Sequence, residues 1–121
     1  MTVIAVMLAG AFGAVARFVV DGALKGRGPT TYPWATLLIN VTGSLLLGVL
    51  AGLVIFHSAP NEWKTIIGTG FCGGYTTFST ASFETVRLAE GSRVRSLAYA
   101  LMSVSGSVIG CAGGLWLSYL V

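Results

Sequence analysis

Long apolar runs dominate this chain, and its few charged residues mostly sit at the ends of those runs. Only 9% of its 121 residues are Asp, Glu, Lys or Arg, whereas 55% are hydrophobic, and mean hydropathy is +0.84. A soluble domain carries about 25% charged residues. So little charge cannot cover a water-exposed surface, and the solvent must be largely lipid. A spanning helix needs about 20 residues, so the length admits four spans, joined by short connections, in one domain over residues 1–121.

The spans fall at about residues 3–20, 34–56, 63–88 and 94–121. Ala14-Val15-Ala16 mimics a signal cleavage site, but no Lys or Arg precedes the apolar run, so the first span reads as a retained helix. Lys25-Gly26-Arg27-Gly28-Pro29 forms a turn-rich loop. Pro33 suits a helix start and Trp34 an interfacial anchor. Spans two and four repeat small residues at every fourth position: Ser44, Gly48 and Gly52, then Gly106, Gly110 and Gly114. Such rows let helix backbones approach closely in lipid. Cys72 and Cys111 lie inside apolar runs and read as packing thiols without a disulfide. The net charge of +3 is scattered and points to no nucleic-acid partner.

The third span is the unusual one. Gly68 to Glu84 is rich in glycine and hydroxyl residues, and the Gly73-Gly74 pair lies near its middle. Glycine costs about 1 kcal/mol relative to alanine inside a helix. The pattern predicts a helix broken near the bilayer midplane, which is tolerated only inside protein or beside a watery cavity. Freed carbonyls there suit a cation, and Thr and Ser hydroxyls offer donors to an anion. A close-packed, unbroken helix is the alternative.

Asn40 lies in span two, four residues after Thr36. It reads either as a donor facing an anion path or as an interhelical hydrogen bond. Tyr99, Ser103 and Ser107 form a hydroxyl stripe along one face of span four. Phe78 offers either a positive ring edge to an anion or ordinary apolar contact. Arg17 and Glu84 are ionisable groups near membrane depth and hence functional candidates, though Arg17 has the reach to snorkel to the interface. No metal-ligand cluster, nucleophile–base pair or phosphate loop suggests an enzyme, and the one histidine, His57, reads as a solvated loop residue.

These residues resemble the bacterial fluoride channels of the Fluc or CrcB family. The similarity runs nearly end to end: Gly13-Ala14-Val15-Ala16-Arg17, Thr36-Leu37-Leu38-Ile39-Asn40-Val41-Thr42-Gly43-Ser44, and the specific string from Gly70 to Thr80. The resemblance implies a four-helix, all-α protein of the bacterial inner membrane. It implies an antiparallel dimer that exports fluoride passively through two narrow pores, with a structural sodium held at the dimer centre by the carbonyls of Gly73 and Thr76. Asn40, Phe78, Tyr99, Ser103, Ser107 and Thr36 match pore positions. Arg17, Thr77, Ser79 and Thr80 match supporting ones, and Glu84, as an ionisable group near membrane depth, is counted with them. The family usually has a second phenylalanine three residues after the first, where this chain has Ala81.

Charge predicts orientation. Lys25, Arg27, Arg87, Arg93 and Arg95 flank loops one and three, against Lys64 alone on the opposite side. The positive-inside rule therefore puts loops one and three in the cytoplasm and both termini outside. An inverted homodimer needs insertion both ways, so this bias, with Ala81, suggests a heterodimer with a homologous, oppositely oriented chain. The homodimer remains open. Two rival readings are a small proton-coupled multidrug exporter and a non-conducting partner subunit of a heterodimeric channel. Exporters of that kind rely on a first-helix carboxylate, and span one has none before Asp21.

Overall fold

The computed structural model describes residues 1–25 and 32–121. Most of the first loop, including Arg27 and Pro29, lies outside the described residues. Helix α1 spans Thr2–Lys25 and α2 spans Trp34–His57. The third run, α3, joins three segments: α-helical Asn61–Trp63, π-helical Lys64–Cys72 and α-helical Gly73–Tyr75. Helix α4 spans Phe78–Gly91 and α5 spans Arg93–Leu120. Among the described residues the chain is all-helical, and α1, α2 and α5 are each long and apolar enough to cross a membrane.

Helix α1 continues past Val20 to Lys25, where Lys25 Nζ and Asp21 Oδ2 pair at 3.1 Å across one turn. Such i,i+4 pairs favour helix. Between α4 and α5 only Ser92 is non-helical; its hydroxyl caps α5 by accepting from the Arg95 N–H at 3.3 Å.

Packing runs along two glycine seams. The more extensive joins α2 to α5. There a β-carbon on Gly48 would strike the Cys111 carbonyl, one on Gly114 the Leu45 carbonyl, and one on Gly52 the Ser118 side chain. The second joins α1 to α3, where Gly13 faces the Phe71 carbonyl and Gly74 the Gly10 carbonyl. Lipid gives apolar surfaces no drive to associate, so close backbone approach supplies the dispersion contacts that hold helices together. Ser118 adds a polar tie, its Oγ donating to the Val49 carbonyl at 2.8 Å. His57 is not merely solvated: its Nε2 lies 2.7 Å from the Ser118 carbonyl. The outer faces carry exposed Phe12, Phe18, Val104, Ile109 and Trp116, a surface suited to lipid.

The helical hydrogen bonding stops at a different place from the glycine pair. Gly73 and Gly74 are helical. Thr76 (φ −78°, ψ 162°) and Thr77 (φ −148°, ψ 121°) are extended, and helix resumes at Phe78. The cause is competition for the backbone: the Thr77 N–H, which would bond the Gly73 carbonyl in a continuous helix, donates instead to Asn40 Oδ1 at 2.8 Å.

Candidate ion-conduction site

Asn40 grips the extended dipeptide from α2. While its Oδ1 accepts from the Thr77 N–H, its Nδ2 donates to the Thr77 carbonyl at 2.9 Å. One side-chain amide thus pairs both backbone groups of one residue, much as a neighbouring strand would. An amide nitrogen carries two hydrogens, so one remains for a ligand. Gly43, one turn on, makes room: a β-carbon there would meet the Thr76 methyl and the Tyr75 ring.

Arg17 reaches the same dipeptide from α1, its Nη1 donating to the Thr76 carbonyl at 3.2 Å. The guanidinium is therefore held at the interruption rather than turned to the interface. Thr76 also bonds backward, its N–H and Oγ1 both donating to the Cys72 carbonyl at 2.9 and 2.8 Å. Thr77 looks forward as the N-cap of α4: its Oγ1 accepts from the Thr80 N–H at 3.1 Å. An N-cap side chain satisfies one orphan donor of a helix start. The carbonyl end of α3 and the N–H end of α4 thus meet at Thr76 and Thr77, with opposite helix-dipole signs.

An open groove of ≈ 880 Å³ runs beside this meeting point between α2, α3, α4 and α5. It gathers Asn40, Gly73, Thr76, Thr77 and Phe78 with Ser103 and Ser107. Phe78 is 88% exposed into this open space, and Ala81 lines the groove one turn on. Several nearby hydroxyls are already spent: Thr42 donates to Leu38, Ser82 to Phe78 and Thr85 to Ala81. Ser103 and Ser107 make no hydrogen bond among the described residues, and neither do Ser44 and Thr69, which line the same groove. Sequence reasoning overlooked these last two as site residues. Ser44 was legible, since it lies one helical turn after Asn40 on α2; Thr69 gave no such signal.

Tyr99 does not share the groove. It is fully buried, and its hydroxyl donates to Glu84 Oε2 at 3.1 Å. Thr36, 1% exposed, lies against the same hydroxyl. Tyr99, Thr36 and Glu84 thus form a polar cluster nearer the α4–α5 connection. The stripe on α5 is split, with Ser103 and Ser107 at the groove and Tyr99 below it. Ser79 is exposed, and Thr80 is engaged by Thr77, whose Oγ1 donates to its hydroxyl at 3.1 Å. Among the described residues no group of three or more His, Cys, Asp or Glu forms a metal cluster.

Residues 4–115 match the family described as CrcB-like protein, Camphor Resistance (CrcB). The chain is 50% identical over 121 residues to Fluoride-specific ion channel FluC 1 of Leifsonia xyli, covering 99% of this chain and 88% of that relative. It is 46% identical over 120 residues to Fluoride-specific ion channel FluC 2 of Cutibacterium acnes, covering 94% and 98%. It is 42% identical over 118 residues to Fluoride-specific ion channel FluC 2 of Mycobacterium tuberculosis, covering 97% and 90%. These relatives are named as channels, not enzymes. Nearly full-length similarity, together with three helices able to span a bilayer, establishes a multi-pass membrane protein. The chain belongs to the CrcB-like family.

Proposed function

We propose that this chain conducts fluoride passively and selectively out of the cell, as half of an antiparallel dimer. The observation that carries the reading is the groove. A helix interruption, fixed by Asn40 and Arg17, shares one open face with the hydroxyls of Ser44, Thr69, Ser103 and Ser107, which have no partner among the described residues. The relatives' names point to the same ion.

Fluoride is small and strongly hydrated, so a pore must replace its water with several close donors. Hydroxyls supply them, as does the second hydrogen of the Asn40 amide. The Phe78 ring presents a positive edge without the desolvation cost of a fixed charge. Irregular backbone of this kind suits membrane depth when it lines a cavity. HF enters cells from acid surroundings and dissociates inside, so a passive channel drains the anion down its gradient.

A structural sodium fits the donor set at the carbonyls of Gly73 and Thr76. Both are hard oxygen ligands, as sodium requires. The Gly73 carbonyl has lost its helical donor to Asn40, and a β-carbon on Gly73 would meet nothing within 4 Å. Thr76 gives one lone pair to Arg17 and keeps a second. One chain offers two such carbonyls, and a twofold partner would offer the same pair again. Sodium there would add positive potential beside the anion path.

The orientation bias favours one insertion direction, so the inverted partner is a second homologous chain. Ala81 lining the groove supports a chain specialised for pairing. The test is fluoride-electrode efflux from liposomes holding this chain alone, or with an oppositely oriented homologue. Fluoride release without chloride release is expected from the mixed preparation. Full release from this chain alone would establish a homodimer, and no release from either preparation would sink the channel reading.

A further inference from the structure

We propose that a second pocket, at the ends of α1, α2, α4 and α5, binds the phosphate headgroup of an anionic phospholipid. The pocket encloses ≈ 730 Å³ and is distinct from the groove. Lys25, Arg87 and Arg95 line it together with Leu24, Leu38 and Leu88. Glu84 is the one carboxylate in the lining, and its Oε2 accepts from Tyr99. Lys25 is paired with Asp21, but Arg87 and Arg95 form no ion pair among the described residues. The lining thus holds more basic than acidic side chains, and two of its guanidiniums make no ion pair among the described residues.

The depth of the pocket is marked by aromatics. Trp34 is half exposed at the start of α2. Tyr32 lies against it at 4.6 Å between ring centroids, and the Arg95 guanidinium sits 5.7 Å from the centre of the Tyr32 ring. Tyr and Trp collect at headgroup level, and a planar guanidinium binds phosphate through paired hydrogen bonds. Leu24, Leu38 and Leu88 in the same lining offer apolar contact to an acyl chain. By the orientation read from charge, this is the cytoplasmic side, where basic pockets between spanning helices meet anionic lipid. Fluoride alone would leave so large a space mostly filled by water.

The inference does not depend on which ion the groove conducts, and its test makes no use of transport. Purified, delipidated full-length chain is mixed with phosphatidylglycerol or phosphatidylcholine, and retained lipid is measured by native mass spectrometry. Preferential retention of phosphatidylglycerol is expected. Arg87→Gln and Arg95→Gln should each weaken it about fivefold. Arg87→Lys should lose less than Arg87→Gln, and Lys64→Gln, on the opposite side, should retain lipid like the wild type. Equal retention of the two lipids by the wild type would overturn the proposal, and this comparison stands even if a variant misfolds. Undiminished retention by a folded Arg87→Gln, Arg95→Gln double variant would also overturn it. So would complete displacement of the lipid by inorganic phosphate at matched concentration, which would identify a simple anion site.

Discussion

Glycine serves opposite ends in two regions of this molecule. Along α2 and α5, Gly48 and Gly114 each lie so close to a carbonyl of the facing helix that no side chain fits between. In α3, Gly73 faces open space, and a β-carbon there would touch nothing within 4 Å. Its neighbour Gly74 reverts to the first use, pressed against the Gly10 carbonyl. The first use closes backbones on each other, which is how helices associate where lipid is as apolar as leucine. The second leaves the backbone of α3 approachable next to the Thr76–Thr77 interruption. Glycine content alone therefore does not mark a functional site; what the missing side chain would have met does.

The largest effect should come from filling the seam. Gly114→Ala places a methyl against the Leu45 carbonyl and the Val49 nitrogen, both backbone atoms that cannot rotate away. Overpacking costs about 1–3 kcal/mol, and the upper end is expected because rigid backbone must move. Gly48→Ala should do the same through the Cys111 carbonyl. Thermal unfolding in detergent would show a markedly lower Tm for both variants. Gly73→Ala, by contrast, should unfold at or slightly above the wild-type Tm, because Gly73 is helical and an added methyl meets nothing. A Gly114→Ala protein as stable as wild type would erase the distinction between the two regions.

The next effect tests what holds the interruption open. Asn40→Ala strips the Thr77 N–H and carbonyl of their partners together. A fully buried group left unsatisfied costs about 1–3 kcal/mol, and the half-buried Thr77 beside the open groove should lose less than that per group. Helix then competes for the dipeptide, since the Thr77 N–H regains the Gly73 carbonyl as an alternative. Fluoride efflux should fall at least about tenfold, the equivalent of about 1.4 kcal/mol, with a smaller loss of stability than at Gly114. Asn40→Asp replaces the donating nitrogen by a carboxylate oxygen facing the Thr77 carbonyl, and a charge at membrane depth is costly, so its Tm should fall at least as far as that of Asn40→Ala. Wild-type efflux from Asn40→Ala would show that the interruption maintains itself without α2.

Much of this was legible in the sequence. The scarcity of charge dictates the membrane class, and the four-residue spacing of Gly48, Gly52, Gly110 and Gly114 marks a close-packing face on each of two spans, though not that the two faces meet each other. The α1–α3 seam was not legible, because Gly10 and Gly13 acquire meaning only from the carbonyls of Gly74 and Phe71 across from them. The interruption falls within the glycine- and hydroxyl-rich stretch, at Thr76 and Thr77 rather than at its glycine pair. Gly73 and Gly74 hold ordinary helical angles, and departure is decided at Thr77 by a side chain thirty-seven positions away. Local propensity cannot report such a competition. For Asn40 the sequence allows either a pore donor or an interhelical hydrogen bond, and its amide makes that bond while keeping one hydrogen spare. The stripe on α5 put Tyr99, Ser103 and Ser107 on one face correctly, but spacing does not say that Tyr99 is sealed against Glu84 while the serines open on the groove.

A difference of about one methyl contact separates two adjacent residues of α5. Gly113 precedes Gly114 on α5, yet a β-carbon on Gly113 would meet nothing within 4 Å. Successive residues of a helix point about 100° apart, so one glycine enters the seam and the other leaves it. Both pay the same backbone entropy for lacking a side chain. Gly113→Ala recovers that cost, about 1 kcal/mol, with no steric penalty to set against it, so its Tm should rise slightly while Gly114→Ala falls. Matching losses from both variants would mean that α5 tolerates no added methyl anywhere along this turn. The seam would then be a property of the whole helix rather than of the one face that meets α2.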